Sequence, residues 1–208
     1  MAKPTSDQFS RRAFFKGSGA AAAASAVGTL AQTAVAQQQP GVVSGWTTIS
    51  LTVNGKTASV KVEPRTTLLD VLRYELNLTG AKPVSMDGSS GASTVLIDDR
   101  PAMASTTLAL TAVGKKVTTV EALGGARGGA RGGDGPDAVP RAFVEHDASQ
   151  CGFCTPGFVV AVRAFLNRNP NATEDEIRAG LNGNICRCGT YANVLQAALA
   201  VVKGDSSG

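Results

Sequence analysis

Gln150-Cys151-Gly152-Phe153-Cys154-Thr155-Pro156-Gly157 and Gly183-Asn184-Ile185-Cys186-Arg187-Cys188-Gly189-Thr190-Tyr191 hold all four cysteines of this 208-residue chain. The first stretch is a C-x-x-C and the second a C-x-C, and each lies between segments with helical signals. Ala138 to His146 reads as one helix. Thr155 to Asn167 reads as the next, with Pro156 in its first turn, where the missing N–H is no loss. Thr173-Glu174-Asp175-Glu176 is a capping box that opens a third helix carrying Ile177 and Leu181. Tyr191 to Val202 is the fourth. Residues 138–203 are therefore expected to form a small four-helix bundle with both cysteine pairs in loops at one end. Four thiolates gathered in this way suit a tetrahedral zinc or a [2Fe–2S] cluster. Two disulfides are the third arrangement, but a C-x-C closes too small a ring for comfortable bridge geometry.

Towards the N-terminus the period changes. Ile49, Leu51 and Val53 alternate with Thr48, Ser50 and Thr52, Asn54-Gly55 is a hairpin turn, and Val60 and Val62 resume the alternation. Thr67 opens a helical stretch with Leu68, Leu69, Leu72 and Leu76 on one side. Thr94 to Ile97, a turn at Asp98-Asp99-Arg100, and Lys116 to Val120 complete a strand-rich unit over residues 46–123. Two strands, a helix and further strands predict a β-grasp, plant-ferredoxin-like arrangement, so the whole chain reads as α+β. Residues 124–137 are mostly glycine and repeat GGAR. They carry no P-loop Lys-Ser/Thr pair and start no helix, so they read as a flexible linker.

The first 36 residues read as an address. Ser10-Arg11-Arg12-Ala13-Phe14-Phe15-Lys16 precedes a weakly apolar, Ala-rich stretch that ends in Ala34-Val35-Ala36, a small-x-small cleavage site before Gln37. This resembles a bacterial twin-arginine signal peptide, followed by a linker over 37–45. The stretch lacks the run of about 20 apolar residues needed to span a bilayer. The expected location is the periplasm. Twin-arginine export carries folded proteins, so the address itself implies a cofactor inserted before transport. Formal net charge is +4, and +3 of it lies in residues 1–36. The remainder offers no basic surface for nucleic acid. A hydrophobic content of 43% excludes general disorder.

Taken together, the two cysteine motifs resemble those of the iron–sulfur subunit of the xanthine dehydrogenase and aldehyde oxidoreductase family, over about residues 46–203. The resemblance implies one [2Fe–2S] cluster on Cys151, Cys154, Cys186 and Cys188, close to a molybdopterin cofactor in a large partner subunit. It places Gln150 beside the pterin and turns Cys188 towards it. It implies a hetero-oligomeric molybdenum hydroxylase that oxidises aldehydes or N-heterocycles, the further acceptor being a flavin or cytochrome c subunit. The chemistry belongs to the large subunit, so no catalytic residue is expected in this chain.

The resemblance also exposes a departure. The family's N-terminal unit holds a second cluster on a C-x4-C-x2-C pattern and a later cysteine. Here that stretch reads Ser85-Met86-Asp87-Gly88-Ser89-Ser90-Gly91-Ala92-Ser93-Thr94-Val95, with Ser105 downstream. The glycine framework is kept and every ligand position is serine. A hydroxyl is a far weaker acid than a thiol and a hard donor where the cluster favours sulfur, so this second site is expected to bind no iron. Two origins are open, a deliberate cysteine-free variant and natural decay of the site; Val84, Met86 and Ser89 also differ from the family pattern, which favours natural divergence. Electrons would then stop at the remaining cluster, leave through another nearby centre, or cross a longer gap slowly. His146, the single histidine, reads as a helix-end residue, and Phe153 and Phe158 as packing residues. Arg187, between two ligands, would raise the cluster's potential or serve as a solvated surface charge. Two other readings stand beside electron transfer: a structural or export subunit of the same complex, and a zinc-stabilised interaction module.

Overall fold

Asn54 and Gly55 take φ values of 51° and 75° and turn β1 (Thr47–Val53) back onto β2 (Lys56–Val62), with Val53 opposite Lys56 and Thr47 opposite Val62. Positive φ at both central residues matches the twist of the flanking strands, which is why Asn-Gly serves here. The turn is also tied down. Asn54 Nδ2 donates to Thr119 Oγ1 and Thr119 N donates to Asn54 Oδ1, each at 2.9 Å. The computed structural model describes residues 42–124 and 135–204. The signal peptide expected over 1–36 and most of the linker expected over 124–137 lie outside the described residues.

The sheet continues through β3 (Thr94–Ile97), β4 (Arg100–Met103) and β5 (Lys116–Thr118) in the order β2-β1-β5-β3-β4. β1 and β5 run parallel and the other pairs antiparallel. β4 is not among the strands expected from the sequence. It contains Pro101, which cannot donate to a ladder and is tolerated because β4 is an edge strand. Arg100 therefore begins a strand instead of closing the turn. The expected strand from Lys116 to Val120 stops at Thr118, and a short helix, α2 (Val120–Gly124), begins where the apolar pattern continues.

α1 (Leu68–Asp70) widens into a π turn over Val71–Glu75. Thr67 caps it by accepting from Asp70 N at 3.1 Å. Leu68, Leu69, Val71 and Leu72 are all buried with Leu51, Val62, Val95 and Val117 in one apolar cluster. The helical half comprises α3 (Ala138–Glu145), α4 (Thr155–Arg168), α5 (Glu174–Gly180) and α6 (Tyr191–Lys203). α5 opens with the expected Thr173–Glu176 capping box, and α6 ends on Gly204 at φ 74°. These helices close around a second apolar cluster that includes Phe143, Phe158, Val160, Ile177, Val194 and Ala198.

The two clusters share a wall. Successive side chains of β3 point to opposite faces. Val95 enters the first cluster and Leu96 the second, and the strand packs against α4. The described residues from Val43 onward accordingly form one compact unit. The fold is α+β, a mixed sheet with helices. Among the described residues no helix is long and apolar enough to cross a membrane.

Asp137 ties the helical half together. It caps α3 by accepting from Val139 N at 3.0 Å, and it pairs with Arg163 of α4 at 3.2 Å in a largely buried setting. Asp137→Ala removes a cap and leaves a guanidinium without its counter-charge. A loss of about 3 kcal/mol is expected in chemical denaturation. Asp137→Asn, which keeps the capping oxygen, should lose less.

Candidate metal centre

The first cysteine loop leaves α3 through His146, the helix's C-cap, whose N–H donates to Ala142 O and Val144 O. Asp147 follows at φ 48°, and Gly152 at φ 82° turns the chain into α4. Cys154 is the N-cap of α4, and its carbonyl accepts from Phe158 N at 3.0 Å. The second loop leaves α5 at Leu181. It carries Cys186 and Cys188, turns on Gly189 at φ 82° and enters α6 from Thr190. Asn193 Nδ2 of α6 donates to Asp147 O at 3.1 Å and so links the two loops.

This brings all four cysteines together as free thiols, with Cys151 and Cys188 exposed, Cys154 half-buried and Cys186 buried. They associate across the loops, Cys151 with Cys188 and Cys154 with Cys186. Among the described residues no three His, Cys, Asp or Glu side chains converge on a point that could hold one ion. The four thiols stand as two pairs, a donor set that a [2Fe–2S] cluster takes as two thiolates to each iron.

Within each pair the proton is held unevenly. Burial, then the neighbouring Cys186 thiol, pushes Cys154 up to about 12. Burial also opposes ionisation of Cys186, but hydrogen bonds from the Thr190 hydroxyl and backbone, with that of Cys154, outweigh it and bring Cys186 to about 7. In the outer pair, the Phe153 backbone and then the Cys188 thiol lower Cys151, while Cys151 raises Cys188. Metal binding requires the thiolate form of all four, so loading is coupled to proton release.

The surroundings complete the site. Thr190 Oγ1 lies 3.2 Å from Cys186 Sγ, and Cys186 N donates to the Tyr191 hydroxyl at 2.8 Å. Tyr191 stands edge-on to Phe158, which is buried as expected. Phe153 is 57% exposed and packs little, contrary to expectation. With Ile185 and Tyr191 it makes an exposed apolar border beside the cysteines. Gln150 and Arg187 are exposed next to them. Thr190 and Tyr191 lie within the second motif, but their roles do not follow from it: spacing alone does not reveal a bond back to residue 186.

The four serines are also gathered, in two hydroxyl pairs. Ser85 and Ser90 hydroxyls lie 2.6 Å apart, and Ser93 and Ser105 hydroxyls 3.0 Å apart.

Residues 119–199 match the [2Fe–2S] binding domain family. The aldehyde oxidoreductase iron–sulfur-binding subunit PaoA of Escherichia coli (strain K12) is 41% identical over 164 residues, which cover 72% of this chain and 69% of that relative. The chain belongs to the iron–sulfur subunits of the xanthine dehydrogenase and aldehyde oxidoreductase family. The nicotinate dehydrogenase small FeS subunit of Eubacterium barkeri is 36% identical over 147 residues, covering 71% of this chain and 89% of the relative. Among solved structures, a chain of quinoline 2-oxidoreductase from Pseudomonas putida 86 superposes with a TM-score of 0.68 at 38% identity, over 77% of this chain and 99% of that one.

Hydrogen bonds to the sulfurs set the potential of an iron–sulfur subunit, because they stabilise the more negative reduced state. Thr190→Val keeps the shape of the side chain and removes its hydroxyl. Its midpoint potential, followed by redox titration of the visible spectrum, should fall below that of the natural protein, and Thr190→Ser should restore it.

Proposed function

We propose that this chain is the electron-transfer subunit of a periplasmic molybdenum hydroxylase that oxidises aldehydes or N-heterocycles. The observation that carries the reading is the pairing of four free thiols, Cys151 with Cys188 and Cys154 with Cys186, at the end of two loops fixed by helix termini. On this reading the first half is a β-grasp unit of ferredoxin type, and α3 to α6 are the bundle that presents the cysteines. A [2Fe–2S] cluster held there takes up and releases one electron at a time.

The chain's own residues set the terms of that transfer. Cys151 and Cys188 form the exposed edge of the site and Cys154 and Cys186 the inner one. Phe153, Ile185 and Tyr191 offer the border against which a large molybdopterin-containing subunit would seat, excluding water from the thiolates. Gln150 would lie against the pterin, and Cys188 would face it. The Thr190 hydroxyl lies 3.2 Å from the Cys186 sulfur and would donate to it in the thiolate form. A flavin or cytochrome c subunit would take the electrons onward. The names of the relatives support this assignment: they are iron–sulfur or small subunits of aldehyde oxidoreductase and nicotinate dehydrogenase.

The serine quartet favours one further reading, a subunit that completes the complex without relaying electrons. Metal content and turnover separate the two. Iron and acid-labile sulfide should each approach about two per chain, with a single type of paramagnetic signal on reduction. Substrate added to the purified complex should produce that signal. A loaded complex whose cluster stays oxidised during turnover would establish the non-relaying subunit instead. Cys154→Ala or Cys186→Ala should abolish the colour, since metal binding there is coupled to folding of the loops.

The export reading has its own test. Arg11→Lys together with Arg12→Lys should trap the chain in the cytoplasm with its leader uncut. Normal export of that double variant, expressed without any partner, would exclude the twin-arginine route for this chain.

A further inference from the structure

The serine-bearing loop lies against the segments that carry both inner cysteines, at residues 183–185 and at Gly157. Ile185 N, one residue before Cys186, donates to Ser90 O at 3.0 Å. The Asn184 side chain, 7% exposed, donates through Nδ2 to Gly91 O at 3.0 Å. Gly91 takes φ 67°, and a Cβ there would lie 2.3 Å from Gly183 O. A Cβ on Gly157, in the first turn behind Cys154, would lie 2.3 Å from Gly91 O. Backbone and the Asn184 side chain alone fill the space between the serine loop, the second cysteine loop and the start of α4 at these glycines.

The serine loop is itself braced without metal. Ser90 N donates to Ser85 Oγ at 2.9 Å, and Ala92 N to Ser90 Oγ at 3.3 Å. Ser105 N donates to Ser93 Oγ at 3.3 Å, and Thr94 Oγ1 to Gly91 O at 2.6 Å. The two hydroxyl pairs close these links into two local networks, one about Ser85 and Ser90 and one about Ser93 and Ser105. The carbonyls of Ser90 and Gly91 are therefore fixed in place, and they receive the donors that hold residues 184 and 185.

We infer that the serine-bearing loop is an iron-free brace that sets the geometry of the Cys154–Cys186 side of the metal site, with Asn184 as the positioning residue between them. This rests on the reading of the four cysteines as the ligands of one cluster. The loop carries no electron. Its work is to fix the direction from which Cys186 approaches the metal, and hence the Thr190–Cys186 contact and the accessibility of the inner sulfurs. Releasing it changes the electronic properties of a cluster whose own ligands are all intact.

The test uses the full chain in its purified complex, in three variants. Asn184→Ala removes the link, and Ser85→Ala with Ser90→Ala loosens the brace without touching a cysteine loop side chain. Ser89→Ala is the control, because its hydroxyl bonds only Asp87 in the same exposed turn. For the first two we expect altered principal g values of the reduced cluster, a shifted midpoint potential and at least several-fold faster iron release to a chelator. Ser89→Ala should match the natural protein in all three. A merely structural weakening would lower stability and leave the spectrum and potential of the loaded fraction unchanged, and that result would overturn the inference. Should Asn184→Ala fail to accumulate, the serine double variant decides alone by the same criteria. If the natural protein holds no iron, the cluster reading itself fails, which is a distinct outcome.

Discussion

Backbone meets backbone at Gly91, Gly157 and Gly183, and the placement of both cysteine loops depends on that contact. A methyl group at Gly91 or Gly157 would meet a carbonyl oxygen at 2.3 Å, far inside van der Waals contact. Neither oxygen belongs to a flexible side chain, so the strain could be relieved only by shifting a loop or the first turn of α4. That turn begins at Cys154, and the facing segment runs through Asn184 to Cys186. The sheet contributes by holding Thr94 at the start of β3, beside the same junction. Leu96, two residues on, enters the apolar cluster that seats α4. Packing of the helical half and shape of the metal site are thus set by one strand and the loop before it.

The serines repeat the cysteines' pairing by other means. Four thiols stand in two pairs, and four hydroxyls likewise pair, Ser85 with Ser90 and Ser93 with Ser105. Ser93 and Ser105 are 2% and 4% exposed, too buried for water to satisfy a lone hydroxyl. A neutral hydrogen bond contributes about 1 kcal/mol net, and an unsatisfied buried oxygen costs about 1–3 kcal/mol. Serine paired with serine satisfies both groups. Serine facing a thiol would not, since S–H is a weak donor and sulfur a weak acceptor. Complete replacement therefore suits a metal-free loop better than partial replacement.

Local chemistry was legible in the sequence wherever one residue dictates its own geometry. Asn54-Gly55 announced its turn, Thr173 with Glu176 its helix start, and the alternation of Ile49, Leu51 and Val53 its buried face. The misses arise where a distant partner decides. β4 has little alternation and a proline, and exists because β3 offers an edge. Val120 continues an apolar strand pattern, but Thr119 is claimed by Asn54 and Glu121, so the ladder ends at Thr118. Phe153 reads as a packing residue, yet it follows Gly152 at positive φ and stands exposed. At the metal site, the spacing places each cysteine in its loop. It does not say that Cys151 meets Cys188 and Cys154 meets Cys186, since that pairing follows from Asn193 reaching Asp147 and Asn184 reaching Gly91.

The site's asymmetry bears on how such a subunit would respond to its partner. Adding an electron makes the four-thiolate centre more negative, and removing water from a charge raises its energy. Covering Cys151, Cys188 and the Phe153–Ile185–Tyr191 border with an apolar partner surface would therefore lower the potential. On the inner side docking would change less, because Cys154 is already half-buried and Cys186 buried with Thr190 beside its sulfur. Arg187 opposes the shift. Its charge lies between two ligands on the exposed loop, and a cation's attraction for the reduced state grows as water leaves and the local dielectric falls. The outer edge is thus where a partner tunes the site, and the inner edge, held by the serine loop, supplies the fixed reference against which that tuning acts.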